Sequence, residues 1–199
     1  MKKRYAGMHT RREFVRNMGL ACAGLSALRA SAGAMVGKKI PVGIQLYSFR
    51  KQAERDYPGV IRKAAELGFQ GVEFAGYGPY GEKPGELRKM LDDAGLKAFG
   101  THTGYNLVMP DTIQKTIAFH KTIGCPYIIV PWIDPKQMEN RDACLKVAEI
   151  LTRASETAQA AGLHVGYHAH GGDFKKIDGG LTAWEVLFDH TPHAFVHQI

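Results

Sequence analysis

Residues 160–170 read AAGLHVGYHAH and hold the features that decide the fold: a helix end, a short apolar strand and a polar strand end. Gly162 suits the left-handed backbone that terminates a helix, and the apolar run after it predicts a strand. The same order recurs around Gly68, Gly95 and Gly124. Amphipathic helices that alternate with short apolar strands are typical of a parallel α/β sheet.

This repeat predicts six strands and five helices. We place the strands at 42–47, 71–74, 98–102, 127–132, 164–170 and 195–199, and the helices at 57–67, 84–94, 111–123, 141–161 and 181–189. An open doubly wound sheet is the alternative, but no Gly-x-Gly-x-x-Gly turn follows the first strand. Polar residues recur at the carboxyl ends of successive strands, which favours a TIM (β/α)8-type barrel.

The length of the chain limits how much of that barrel the sequence holds. A complete barrel needs about 250 residues, and residues 38–199 supply five βα units and a sixth strand. We therefore expect a partial barrel domain, incomplete at its C-terminus, whose first and sixth strands have open edges. Open edges favour self-association, because they leave backbone groups unpaired.

Residues 1–34 carry most of the net charge. The 199-residue chain has 26 Lys+Arg and 19 Asp+Glu, a net charge of +7, yet residues 1–34 contain seven basic residues and one acid. The rest of the chain has a net charge of +1. A nearly neutral domain attracts phosphate groups weakly, so we expect no nucleic-acid partner.

The same 34 residues have the order of a signal peptide: a basic zone, an apolar zone and small residues. Residues 10–14, TRREF, resemble the twin-arginine export motif. We expect recognition by the twin-arginine export machinery, cleavage between Ala32 and Ala34, and a periplasmic protein with no stable membrane anchor. A lipoprotein signal at Cys22 is disfavoured, because Gly19 stands where Leu is usual.

Polar side chains follow five successive strands. In a parallel barrel the carboxyl ends converge on one mouth, where active sites lie. His168 and His170 are two residues apart on a strand, so both imidazoles face the same side. They could present two nitrogens to a divalent metal, too few for a closed site, and Asp173 could add an oxygen. The candidates are Gln45, Tyr47, Glu73, His102, Trp132, His168 and His170.

Three other reactive side chains have structural interpretations. His120 is expected on an exposed helix face. Cys125 and Cys144 lack metal-type spacing, so we expect both to be small buried hydrophobes without a disulfide between them.

The strand ends together resemble the xylose isomerase-like TIM-barrel family. This sugar isomerase/epimerase group includes tagatose 3-epimerase, inosose dehydratase and the AP endonucleases. The likeness covers nearly all of residues 40–199. The stretches that carry it are 42–48 (VGIQLYS), 71–76 (GVEFAG), 100–104 (GTHTG), 129–132 (IVPW) and 166–170 (GYHAH).

The resemblance implies one divalent metal ion, Mn, Zn, Mg or Co, at the barrel mouth. His168 matches the fifth-strand ligand position, and the sixth-strand Asp would be expected directly after Ile199. Glu73, His102 and His170 match positions that usually face the sugar. We predict catalytic roles for Glu73 and His170, and substrate contacts for Gln45, Tyr47, His102 and Trp132.

The activity implied by the resemblance is isomerisation or epimerisation of a small carbohydrate, by proton removal next to a carbonyl. A metal-dependent lyase or hydratase acting on an oxidised sugar is an alternative, because a His-rich site suits it. A non-catalytic, truncated barrel fragment is a third reading. AP-endonuclease chemistry is disfavoured, since Trp132 stands where those enzymes need a His at the end of the fourth strand.

Overall fold

The computed structural model describes residues 40–199, in which six parallel strands form one sheet in chain order. The α/β partial-barrel prediction is confirmed. The predicted export signal, residues 1–34, lies outside the described residues. The strands are β1 (Gly43–Gln45), β2 (Gly71–Ala75), β3 (Lys97–His102), β4 (Tyr127–Val130), β5 (His164–His168) and β6 (Val196–Gln198).

Helices connect the strands, and every predicted helix and strand has ends within two residues of the observed ones. Asp56 caps the first long helix by accepting a hydrogen bond from the Gly59 backbone N–H at 2.8 Å. Gly95 and Gly124 end two helices with φ of 66° and 70°. The helices are α1 (Arg50–Ala53), α2 (Tyr57–Glu66), α3 (Pro84–Ala94), α4 (Ile113–Ile123), α5 (Arg141–Ala160) and α6 (Ala183–His190).

The sheet is strongly curled. Gln198 on β6 donates a hydrogen bond to the Glu73 carboxylate on β2 at 2.8 Å. Four strand spacings separate β2 from β6, and in a flat sheet these would amount to about 19 Å. The two side chains meet only because the strands curve around a shared concave side, as they do in a barrel.

The apolar core lies between the convex side of the sheet and the helices. Val72 and Phe74 on β2 are fully buried toward that layer, so Glu73 between them faces the concave side. A second cluster packs β4 and β5 against α5 and α6, with Leu151 and Val165 fully buried. This alternation sends the polar residues of the strands to the concave side.

An irregularity in β3 fills the bottom of that concave side. The pairing of β2 with β3 shifts between Val72 and Glu73, which leaves Phe99 as an extra residue. A Cβ added at Gly43 or Gly71 would lie 2.4 or 2.6 Å from the Phe99 ring. The two glycines therefore make room for a phenyl ring beneath the polar strand ends.

Cys125 and Cys144 are buried and free, as predicted. No helix within residues 40–199 combines the length and the apolarity needed to cross a bilayer.

Candidate active site

One pocket at the carboxyl ends of the strands contains six of the seven predicted site residues. Its volume is about 390 Å³, and strands β1 to β5 or the loops directly after them all contribute to its wall. Parallel topology explains the gathering, because every strand ends at the same rim. The lining residues are Gln45, Tyr47, Ala75, Gly76, His102, Pro131, Trp132, His168 and His170.

Glu73, the seventh predicted residue, lies beneath this pocket with both carboxylate oxygens engaged. Its Oε1 accepts a hydrogen bond from Gln45 Nε2 at 2.6 Å and lies 3.2 Å from His102 Nε2. Its Oε2 accepts a hydrogen bond from Gln198 Nε2. The side chain is only 19% exposed. Glu73 therefore joins β1, β3 and β6 at the centre of the concave side.

These contacts favour the charged forms of Glu73 and His102. Burial would raise the pKa of Glu73, but hydrogen bonds from His102, Gln45 and Gln198 outweigh it and lower the pKa to about 2. Burial would lower the pKa of His102, yet its hydrogen bonds to Glu73 and Gln198 and the carboxylate charge raise it. Glu73 is thus an anion at neutral pH and a weak base, and it favours the protonated form of His102.

Three imidazoles stand side by side in the pocket wall. The His168 ring centroid lies 4.9 Å from that of His102 and 5.0 Å from that of His170. The Nδ1 atom of His168 is buried and has no hydrogen-bond partner among the described residues. Burial lowers the pKa of His168, and the neighbouring imidazoles lower it further. His168 therefore favours its neutral form, with a ring nitrogen that lacks a partner.

Two exposed aromatic rings border the mouth of the pocket. Tyr47 and Trp132 are 56% and 57% exposed, and the Arg50 guanidinium lies 4.4 Å from the centre of the Tyr47 ring. Aromatic faces pack against the apolar C–H faces of ring-shaped ligands, while neighbouring polar groups bind their hydroxyls.

The family assignment follows from a sequence comparison. A profile of the family described as xylose isomerase-like TIM barrel matches residues 61–194. The chain belongs to this family. No curated protein sequence matches the chain.

Solved structures with the same fold include proteins named as sugar isomerases or epimerases and one named as an AP endonuclease. A sugar phosphate isomerase/epimerase from Parabacteroides distasonis is 25% identical, with a TM-score of 0.64 over 79% of this chain and 64% of that one. A D-psicose 3-epimerase in the presence of D-fructose is 17% identical, with a TM-score of 0.56 over 79% and 62%. An AP endonuclease, family 2, from Brucella melitensis is 16% identical, with a TM-score of 0.59 over 80% and 68%.

At 17% and 16% identity, the likenesses to the epimerase and to the endonuclease show the fold alone. The chain spans less than two thirds of the length of the Parabacteroides protein.

The xylose isomerase-like pocket does not form a complete metal site from residues 40–199. This part of the chain contains no group of three His, Cys, Asp or Glu side chains able to hold a metal ion. Asp173, expected to add an oxygen beside the histidines, accepts hydrogen bonds at Oδ2 from the Tyr167 hydroxyl and the His170 backbone N–H. It holds the loop after β5, and the unpartnered Nδ1 of His168 remains as one candidate metal donor.

Sequence reasoning missed Gln198, a central member of the site. Gln198 pairs in register with His168 across β5 and β6, so both side chains face the concave side. Its Oε1 also accepts a hydrogen bond from His102 Nε2 at 3.1 Å. The signal that could have identified it was side-chain alternation along the predicted strand 195–199, which places Gln198 on the side opposite the buried Phe195.

The expectation for His120 is wrong. This side chain on α4 is fully buried rather than exposed. Ile113, Thr116, Ile117 and Ile123 form the buried face of the same helix, and His120 follows Thr116 by four and Ile117 by three residues. Helical spacing therefore places it on that face.

Proposed function

We propose that the strand-end pocket binds a small carbohydrate, and that the protein isomerises or epimerises it by removing a proton next to a carbonyl. The observation that carries this proposal is the convergence of six predicted residues on one pocket of about 390 Å³. The likeness to a sugar phosphate isomerase/epimerase at 25% identity supports the same class of substrate.

In this proposal the aromatic and amide side chains bind the sugar. Trp132 packs against its ring, and Gln45 and Tyr47 contact its hydroxyls. His102, whose protonated form is favoured by Glu73, places positive charge near the oxygen on which negative charge develops. Glu73 acts through His102, because a carboxylate with a pKa of about 2 is a weak base.

His170 is the proposed base. Its imidazole takes the proton from the carbon next to the carbonyl. The electron pair of that C–H bond forms the C=C bond of an enediolate, and the π pair of the carbonyl moves onto its oxygen. Return of the proton by His170 to the neighbouring carbon, with transfer of the hydroxyl proton between the two oxygens, gives the isomer. An epimer forms when a second proton carrier protonates the original carbon from the opposite face of the enediolate. We also propose His168 as a ligand of the divalent metal implied by the family resemblance, although no step in this scheme depends on that metal.

Deuterium exchange tests the proton transfer. The full chain is incubated in D2O with a panel of ketoses and aldoses, and incorporation of deuterium next to the carbonyl is followed by NMR. We expect exchange with at least one sugar, loss of exchange in His170→Ala, and unchanged exchange in His193→Ala, which removes an exposed histidine in the turn before β6. Exchange that persists in His170→Ala would contradict the assignment of the base.

A second measurement distinguishes the isomerase from the lyase alternative, which the cluster of three imidazoles favours. Elimination of water from an oxidised sugar gives an unsaturated product that absorbs ultraviolet light. Appearance of that absorbance with a sugar acid, without deuterium exchange into neutral sugars, would replace the isomerase proposal.

We further propose export to the periplasm by the twin-arginine route, supported by the order of residues 1–34. A fusion of residues 1–40 to a folded reporter should be exported. Changing both Arg11 and Arg12 to Lys should retain the reporter in the cytoplasm. Export that is insensitive to this double change would contradict the proposal.

A further inference from the structure

A buried hydrogen-bond network lies behind β3, on the convex side of the sheet. His120 Nε2 is 2.6 Å from Thr101 Oγ1 and 3.0 Å from the Tyr77 hydroxyl. Thr103 Oγ1 lies 2.9 Å from Thr101 Oγ1 and 3.1 Å from the Tyr77 hydroxyl. Thr101, Thr103 and His120 are each at most 1% exposed. Burying the polar groups of these three side chains is costly unless each finds a partner.

One backbone carbonyl decides which ring nitrogen of His120 carries the proton. His120 Nδ1 lies 2.7 Å from the Thr116 carbonyl oxygen, which can only accept, so Nδ1 carries the proton. Nε2 is then the acceptor of the neutral ring, in keeping with the burial that lowers the pKa of His120 to about 4. Two assignments satisfy every proton. In the first, Tyr77 donates to Thr103, Thr103 to Thr101, and Thr101 to His120 Nε2. In the second, Thr101 donates to the Tyr127 carbonyl oxygen at 3.2 Å, Tyr77 donates to Nε2, and Thr103 donates to Thr101.

The two threonines flank His102 in the sequence and on the strand. Residues 101 and 103 face the helices while residue 102 faces the pocket, because side chains alternate along a strand. The pairing of β3 with β4 is short and includes only Thr101 with Ile128 and His102 with Ile129. Beyond this pairing, the Thr103 backbone N–H donates to the Ile129 carbonyl oxygen at 2.8 Å. On its other side the end of β3 pairs with β2, where Ala75 lies opposite His102. Side-chain anchoring on the convex side therefore adds to this backbone pairing and fixes the two residues that flank His102.

We propose that Thr101, Thr103, Tyr77 and His120 are positioning residues that hold the end of β3 and thereby orient His102 toward Glu73 and the pocket. None of the four needs to touch the sugar from the convex side for this role. The inference rests on the proposed function only in giving His102 a part in sugar binding, and the orientation of its ring can be measured without any sugar.

The test uses Thr101→Val in the full chain. This substitution keeps the shape of the side chain but removes the hydroxyl that bonds His120. The 1H and 15N signals of the histidine rings are recorded at one fixed pH without sugar. We expect the His102 ring signals to move and those of His190 and His193 to stay. Sugar affinity, measured separately, should fall by about fivefold, the loss expected for one hydrogen bond of about 1 kcal/mol.

Matched variants separate positioning from a general loss of stability. Thr101→Ser keeps the hydroxyl and should restore the His102 signals. Thr122→Val on α4, the helix that carries His120, removes an exposed hydroxyl that bonds only the Ala118 carbonyl oxygen. This variant should leave the His102 signals unchanged. Tyr77→Phe removes one hydroxyl, the one in contact with Thr103 and His120, and gives a milder variant if Thr101→Val fails to fold.

Unmoved His102 signals in both Thr101→Val and Tyr77→Phe, with a change confined to His120, would overturn the proposal. Moved His102 signals without any detectable sugar binding would uphold the positioning role and contradict only the proposed function.

Discussion

Replacing Glu73 by Gln should remove the central connection of the concave side. The carboxylate accepts hydrogen bonds on both oxygens, whereas an amide has one acceptor and one donor. The new NH2 group would therefore face the NH2 group of Gln45 or Gln198, and His102 would lose its counter-charge. The variant leaves buried donors without acceptors as well as removing a charge.

The expected loss of stability in Glu73→Gln follows from the lowered pKa of Glu73. Its pKa is lowered from 4.5 to about 2, and at about 1.4 kcal/mol per pKa unit this corresponds to about 3 kcal/mol of stabilisation at neutral pH. Urea unfolding at pH 6 should show this loss in Glu73→Gln. The control Glu82→Gln breaks an exposed ion pair with Lys115 and should change the unfolding free energy by less than about 0.5 kcal/mol.

The pH dependence of the unfolding free energy gives a second test of the Glu73→Gln variant. Because the folded pKa of Glu73 is depressed, its stabilisation is present above its unfolded pKa of about 4.5 and is lost as the pH falls toward 2. The raised pKa of His102 acts with the opposite sign, so its stabilisation is present below 6.5 and is lost as the pH rises through the folded value. The pair should therefore contribute most between about pH 4.5 and 6.5. Equal stability of wild type and Glu73→Gln throughout this window would refute the reasoning.

Two further substitutions test the packing of the sheet and the start of a helix. Gly166→Ala should destabilise the fold by about 1–3 kcal/mol, because the new Cβ would lie 2.5 Å from the Val196 carbonyl oxygen and 2.8 Å from Ile129 Cδ1. Gly171→Ala, with no atom within 4 Å of the new Cβ, should be close to neutral, and equal melting temperatures for the two variants would contradict this packing. Thr182→Ala should cost about 1 kcal/mol in urea unfolding, since the Thr182 hydroxyl caps α6 in a reciprocal capping box, and Thr182→Ser should recover most of it.

Local signals in the sequence were sufficient for the fold. Gly95 and Gly124 mark helix ends, and the apolar runs after them mark strands, because backbone conformation and burial are set by nearby residues. The convergence of polar strand ends also followed, since parallel topology brings them to one rim. The burial of His120 was missed although its helical spacing contained the signal.

The hydrogen bonds inside the site could not be predicted from local patterns. The contact between Glu73 and Gln198 joins residues 125 positions apart in the sequence. It depends on the curvature of the sheet, which the extra residue Phe99 and the glycines facing it help to set. The low pKa of Glu73, and with it the proposal that Glu73 acts through His102, emerges only when these strands are brought together.

Fluorescence of Trp132 tests most directly whether the strand-end pocket is a carbohydrate site. The chain has two tryptophans, so Trp184→Phe leaves Trp132 at the pocket mouth as the reporter. Titration with a panel of monosaccharides that includes D-fructose should give a saturable change with at least one sugar. A further His168→Ala, His170→Ala double substitution should abolish that change. No saturable change with any sugar, or an equal change after loss of both histidines, would contradict the assignment of this pocket.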